Sequence, residues 1–384
     1  MKVAIVHYWL VGMRGGEKVL EELCRMYPQA DIFTHVAVPE KLSPVIRRHR
    51  IRESYIARLP FARRLYQTYL PFMPRALESL DLSGYDLVIS SEAGPAKGVI
   101  ADPDALHLCY CHSPMRYVWD QYHIYRGQAG LLMRWAMPLI AHGLRIWDVS
   151  SAARVDHFIA NSRFVARRIA RTYRRDAAVI YPPVDVSAFR RASPAPVDDF
   201  YLYAGELTGY KRPDLVVDAF NRSGRKLVVI GEGASRKSLE RKAGANITFL
   251  GRVGFDVLKD HYARCRALVF PGIEDFGIIP LEVMASGRPV IAFARGGALE
   301  TVVDGVTGIL FHDQSIEALE EAITRIESGF SSFQPHALCA HAEAFSAVRF
   351  RRQLKSFVEE KQSAAQAGRT DEQRPRVWSG QNAG

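Results

Sequence analysis

Apolar residues along the chain recur in two alternating patterns. Short continuous runs (KVAIVHY, DIFTHV, LVIS, LHLCYCHS, FIANS, AVIYPPVD) read as strands buried on both faces. Between them lie segments with helical spacing. GGEKVLEELCRMY places Val19, Leu20, Leu23 and Met26 on one stripe, and RFVARRIARTY reads as a helix. A second series starts at Phe200. FYLYAG, KLVVIGEG, ITFLG, ALVFPG, PVIAF and TGILF read as strands, and DLVVDAFNR, DVLKDHYARC, LEVMASG and SIEALEEAITRIE as helices. Strands separated by helices predict parallel sheets covered on both faces.

The Pro182-Pro183 pair ends the first series, and SPAPVDD (193–199) reads as a linker. The pattern therefore predicts an α/β protein of two doubly wound, Rossmann-like domains facing across a cleft. The first spans residues 1–190 and the second 191–345. A helix over 346–361 is expected to return toward the first domain, and 362–384, without apolar periodicity, reads as a disordered tail. Ligands of such folds bind at the carboxyl ends of the strands.

Composition narrows this only a little. Among 384 residues, 48% are hydrophobic and 24% charged, as in ordinary globular chains, and no apolar run approaches a membrane span. MKVAIVHYWLVG has a short apolar core and no small-residue cleavage site, so it reads as a first strand rather than a signal peptide. Five cysteines (24, 109, 111, 265, 339) without framework spacing suggest reduced thiols and a cytoplasmic setting. Cys109 and Cys111 share one face of a strand and read as core residues.

Charge is more telling. Net charge is +10, and the window 41–75, with nine Lys/Arg against Glu53 alone, carries +8 of it. Phe61, Leu65, Tyr66 and Tyr69 recur there at helical spacing among Arg58, Arg63 and Arg64, with Arg47 and Arg48 upstream. An apolar stripe flanked by arginines suits an interfacial helix on an anionic membrane. A solvated basic face on a packed helix is the other reading. Nucleic acid is a rival anion, but the chain carries no nucleic-acid motif.

Candidate chemistry concentrates in FPGIEDFGIIPLEVMASGRP (270–289). ALVFPG ends a strand, and Pro280 suits the first turn of a helix running Leu281 to Ser286, with Gly287 as the residue that ends it. Residues 274–278 are then a strand-to-helix turn. Its free N–H groups and the positive helix end make an anion site, and Gly277 lets the backbone approach a phosphate. A carboxylate accepts two hydrogen bonds from a vicinal diol, so Glu274 and Glu282 would flank a bound diphosphate with a sugar on each side. Glutamate in a first turn is also favoured by capping alone.

This stretch, with Gly15-Gly16-Glu17, FIANSRFVARRI, VIYPPVD, YLYAGELTGYKRPDLVVDAF, VVIGEG, ITFLGRV and GGALETVVDGVTGILF, resembles glycosyltransferase family 4, the retaining GT-B enzymes. The resemblance implies that Glu282 binds the donor ribose and Glu274 the transferred sugar. Phe276, Gly277 and Ile278 would offer backbone N–H groups, and Lys211 would neutralise the departing diphosphate. It implies close approach of the Gly15-Gly16 loop to the donor, and no metal or other cofactor. Base recognition would fall around 231–233 and 252–254. CHSPMRYVWDQY resembles a cleft segment of bacterial O-antigen and exopolysaccharide mannosyltransferases, which implies contact between His112 and the donor sugar. Arg116 and Tyr117 suit an acceptor surface or the packing of the domain, and Ser162 suits the cleft or a helix cap.

One departure matters: the family usually carries Arg where this chain has Glu206, which leaves the diphosphate site one cation short unless Arg212 or a basic residue of the first domain compensates. The resemblance implies a hexose, mannose from GDP-mannose, moved to a polyprenyl-diphosphate-linked oligosaccharide at the inner membrane. A family 4 enzyme using a UDP-sugar, a nucleotide-sugar epimerase and a sugar-nucleotide-binding protein that has lost catalysis are the alternatives.

Overall fold

The computed structural model describes residues 1–190 and 195–372. The first sheet has seven parallel strands, β1 (Val3–His7), β2 (Asp31–Thr34), β3 (Ile51–Glu53), β4 (Leu87–Glu92), β5 (Leu106–Cys111), β6 (His157–Ala160) and β7 (Ala177–Val179), in the order 3-2-1-4-5-6-7. The second has six, β8 (Tyr201–Ala204), β9 (Leu227–Ile230), β10 (Ile247–Gly251), β11 (Leu268–Phe270), β12 (Val290–Phe293) and β13 (Gly308–Phe311), in the order 10-9-8-11-12-13. Each order reverses once, between β1 and β4 and between β8 and β11, and a crevice opens where the connections diverge. This is the GT-B arrangement.

Continuous burial explains why the strands read so plainly. Every residue of β1, β4, β5 and β12 is buried, because helices cover both sheet faces. Polar members of these strands find partners inside. His107, on β5, meets Ser90 Oγ through Nε2 at 3.0 Å and the Arg154 carbonyl through Nδ1 at 3.1 Å. All five cysteines are free.

Three sequence expectations need correcting. The 61–72 segment is not one amphipathic helix. Ala62–Leu65 forms a single α-turn, and Tyr66–Phe72 is a 3₁₀ stretch containing Pro71. Pro60 and Pro71 interrupt the ladder at both ends, so Tyr66 turns onto Trp9, with ring centroids 4.9 Å apart, and of the segment's large apolar side chains Phe61, Leu65 and Phe72 stay exposed. The helix Ala347–Glu372 continues through the first eleven residues of the expected disordered tail; 373–384 lie outside the described residues. Its Phe350, Leu354 and Val358 recur every four residues and are buried in the first domain's core. Fully burying such side chains is worth about 1.5–3 kcal/mol each, which ties the chain's end to its beginning. The third is a helix of 22 residues, Leu131–Ala152, that the apolar pattern did not announce.

Candidate active site

Two helices meet head to head across the cleft. One, Gly15–Met26, follows β1; its Glu17 carboxylate accepts from the Arg14 N–H at 3.0 Å and closes the first turn. The other, Ile278–Ala285, follows β11 and begins three residues earlier than its sequence suggested. Gly277 precedes it at φ +94°, a backbone conformation that an L side chain resists, and Pro280 still sits in the first turn. The helix ends are in contact: a Cβ added to Gly15 would lie 3.1 Å from Ile278 Cδ1. One turn further along each, Lys18 Nζ meets Glu282 Oε1 at 2.9 Å, and the Tyr262 hydroxyl donates to Oε2 at 3.5 Å. Two positive helix ends therefore point at one place, which favours an anion there.

That place is a cavity of 580 Å³. Its N-terminal wall is Met13, Arg14, Gly15 and Lys18. Its C-terminal wall includes Glu206, Lys211, the glycine loop 231–233, Arg252, Tyr262, Ile278 and Glu282. Arg14, Lys18 and Arg252 line the cavity beside Lys211, with Glu206, Glu232 and Glu282 on the same walls. Arg212 does not join them. It adopts a left-handed backbone, and its guanidinium is held by Asp214 at 3.1 Å and by Gln314 at 3.3 Å.

Lys211, which lines the cavity, forms an ion pair of 2.8 Å with Glu274. Burial pulls the lysine's pKa down, but Glu274 and then Tyr210 outweigh it and leave it above the ordinary value. Lys211 is therefore charged at neutral pH. The Phe276 side chain is buried, its ring stacked on Tyr181 at 5.6 Å, so only its backbone faces the turn.

His112 follows β5. Its Nε2 meets Ser91 Oγ at 2.9 Å, and Ser91 meets His7 Nδ1 at 3.1 Å, so one hydroxyl links two imidazoles. Burial lowers the His112 pKa to about 4, which keeps the ring neutral. A Cβ on Gly16 would stand 2.7 Å from the Tyr8 hydroxyl and 3.7 Å from His112 Nε2, so the helix start packs directly on this chain.

The acceptor-side candidates divide. Arg116 Nη1 reaches Asp275 Oδ2 at 3.4 Å across the cleft, and its guanidinium lies over the Tyr210 ring at 5.7 Å. Tyr117 is packed inward with a buried hydroxyl. Ser162 does both things its sequence allowed: its Oγ accepts from the Val165 N–H at 3.0 Å as a helix cap and donates to the Asp275 carbonyl at 2.6 Å. Arg47, Arg48, Arg58, Arg63 and Arg64 are exposed and do not line the cavity; Arg63 also bonds the Ala37 carbonyl.

Several cleft residues carried no role in the sequence reading. Arg168 Nη1 meets Asp275 Oδ1 at 2.8 Å, and Glu300 accepts from the Arg163 and Phe164 N–H groups at 2.8 and 2.9 Å. With Lys18, these groups hold the two domains closed. Burial raises the Asp275 pKa, opposed by Arg116 and then Arg168.

Comparisons with known proteins agree with this geometry. The family description "Glycosyltransferase Family 4" matches residues 13–188, and "Glycosyl transferases group 1" matches 186–331. Together they span most of the chain, which belongs to the family 4 glycosyltransferases of GT-B architecture. Over 309 residues the chain is 27% identical to the D-inositol 3-phosphate glycosyltransferase of Mycolicibacterium paratuberculosis, covering 65% of this chain and 70% of that one. An uncharacterized glycosyltransferase of Methanocaldococcus jannaschii is 30% identical over 176 residues, 44% of this chain and 49% of that one. In fold, the chain is similar to Anabaena HepE in complex with UDP and glucose, with TM-score 0.70, 16% identity and coverage of 94% and 99%. Sucrose-phosphate synthase of Thermosynechococcus elongatus superposes with TM-score 0.72, 19% identity and coverage of 95% and 100%.

Proposed function

We propose that this glycosyltransferase moves mannose from GDP-mannose onto a polyprenyl-diphosphate-linked oligosaccharide, with retention of configuration, in the synthesis of a bacterial surface polysaccharide. The observation that carries the reading is the convergence of two helix N-termini and four cationic side chains on one cavity between the domains. Such a cavity suits a diphosphate with a nucleoside on one side and a sugar on the other.

In this reading the ribose diol hydrogen-bonds to Glu282 beside Lys18, and the hexose hydroxyls to Glu274. The bond from the anomeric carbon to the diphosphate oxygen breaks, and its electron pair leaves with the diphosphate. Lys211 and the positive end of helix Ile278–Ala285 stabilise that charge. The acceptor hydroxyl enters from the face the diphosphate leaves, and its proton passes to a leaving-group oxygen, so no separate general base is required. A neutral His112 contacts the hexose without repelling the cationic transition state. Mannose, GDP and the lipid-linked acceptor rest on the likeness of residues 111–122 to mannosyltransferase sequences. An acceptor of that kind would place the chain at the cytoplasmic face of the inner membrane.

A UDP-sugar donor is the second reading, favoured by the UDP and glucose held in the similar Anabaena structure. Thermal shift with GDP, UDP and ADP, free and as diphosphate sugars, separates the two, because a ligand of the folded state alone stabilises by mass action. Selective stabilisation by GDP and GDP-mannose is expected. Selective stabilisation by UDP-sugars would move the assignment to the second reading, and none at all would favour a domain pair that has lost its donor.

A further inference from the structure

The helix Leu131–Ala152 is apolar on two opposite faces. One is packed: Ala141, Leu144, Asp148, Ser151 and Ala152 are buried, and Met137 and Ile140 lie partly against the same cluster. The other stands in solvent: Leu131 is 77% exposed, Trp135 75%, Leu139 80% and Ile146 59%. At roughly 100° per residue these four fall within an arc of about 80°, on the side away from the buried stripe. Side chains this large and apolar, aligned on one face, mark an interaction surface rather than scattered surface residues.

The surroundings are basic. Between residues 121 and 152 the only acid is Asp148, which is buried and paired with Lys97, while Arg126, Arg134 and Arg145 supply positive charge. The 66–72 segment flanks the helix, since its Leu70 packs on the same cluster as Leu144. That segment brings exposed Phe72, and the window 41–75 around it carries +8. No described helix is long and apolar enough to cross a membrane. The nearby exposed acids are paired, Glu78 with Arg154 and Trp147 and Asp120 with Arg168, so the apolar face keeps a net cationic rim, which complements a layer with an apolar interior and an anionic surface.

We infer that Leu131–Ala152 lies in the plane of an anionic lipid bilayer, with Leu131, Trp135, Leu139 and Ile146 inserted below the headgroups and the arginines of 41–75 at the phosphate level. This places the membrane contact on a helix, with the basic block as its rim rather than its anchor. It deepens the lipid-linked-acceptor reading and is independent of the donor.

The test is co-sedimentation of the full chain, without nucleotide sugar, on phosphatidylcholine vesicles with and without phosphatidylglycerol. The expected result is binding to the anionic vesicles, weakened by salt, with Trp135→Ser and Leu139→Ser each lowering the partition constant about tenfold. Both side chains are exposed, so circular dichroism and Tm should stay at wild-type values. The inference is overturned if anionic vesicles are not bound, or if the variants bind them as wild type does. It is equally overturned if the variants abolish a concentration-dependent dimer instead, which would assign the face to a second copy of the chain. Any of these results leaves nucleotide-sugar binding, read by thermal shift, unaffected.

Discussion

Domain closure in this enzyme rests on an aspartate in the strand-to-helix turn of the second domain. Asp275 follows Glu274 directly, and its carboxylate is held from the other domain by Arg168 at 2.8 Å and Arg116 at 3.4 Å. The side chains of Arg168 and Asp275 are 14% and 19% exposed, between a buried pair and a surface pair. Breaking a buried pair costs about 3–5 kcal/mol, and an exposed one is worth about 0.2–1. Because Asp275 keeps Arg116 when Arg168 is lost, about 2 kcal/mol is the reasonable figure for Arg168→Met. At about 1.4 kcal/mol per tenfold, that shifts the balance from closed toward open by roughly 30-fold. Transfer requires the closed cleft, so kcat/KM, followed by nucleoside-diphosphate release, should fall by up to about that factor. Small-angle scattering should show a larger radius of gyration. Arg168→Lys should recover part of the activity. A double-mutant cycle with Asp275→Asn should give a coupling near 2 kcal/mol. Wild-type kcat/KM in Arg168→Met, with a coupling below about 0.5 kcal/mol, would refute the latch.

Other outcomes follow from the same geometry. Glu282→Ala should abolish stabilisation by any nucleoside diphosphate, while Lys18→Met should weaken it and also lower Tm of the free protein, because the buried Glu282 carboxylate loses its cation; thermal shift reads both. Gly277→Ala should destabilise the fold by about 1–2 kcal/mol, because alanine resists φ +94°, and should impair donor binding by turning the helix-end N–H groups. Burial lowers His107 from its ordinary 6.5 to about 4. Between those values the unfolded chain binds more protons than the folded one, so this histidine's contribution to stability is full above pH 6.5 and shrinks as pH falls toward 4. His107→Gln should therefore show a smaller drop in Tm than wild type on going from pH 7 to about 4.5; an identical drop would count against the assignment.

What the sequence disclosed, and what it hid, has a physical pattern. The strands were legible because a parallel strand covered on both faces is apolar along most of its length, as VAIVH and VIAF are. The 274–282 turn was legible because a strand, a glycine and a helix start follow one another locally. Leu131–Ala152 was hidden because it is apolar on both faces and carries Pro138, so no single stripe stands out. The 61–72 stretch misled because helical spacing survived where two prolines prevent the helix. The cleft's closing contacts were invisible for another reason: Lys18 and Glu282 are 264 residues apart, Arg168 and Asp275 107, and Phe164 and Glu300 136. Only the packing of one domain on the other brings those charges together. Arg14 and Lys18 were hidden in the same way, since they reach the cavity from the opposite domain.

The most direct test of the central claim needs no acceptor. Wild-type protein is incubated with GDP-α-mannose, and the slow transfer of the hexose to water is followed by proton NMR before the free sugar equilibrates between anomers. The account predicts that GDP and α-mannose appear together, and that Glu274→Gln and Lys211→Met each suppress the signal. First appearance of the β-anomer, or turnover that survives both substitutions, would contradict a retaining transfer at this cleft.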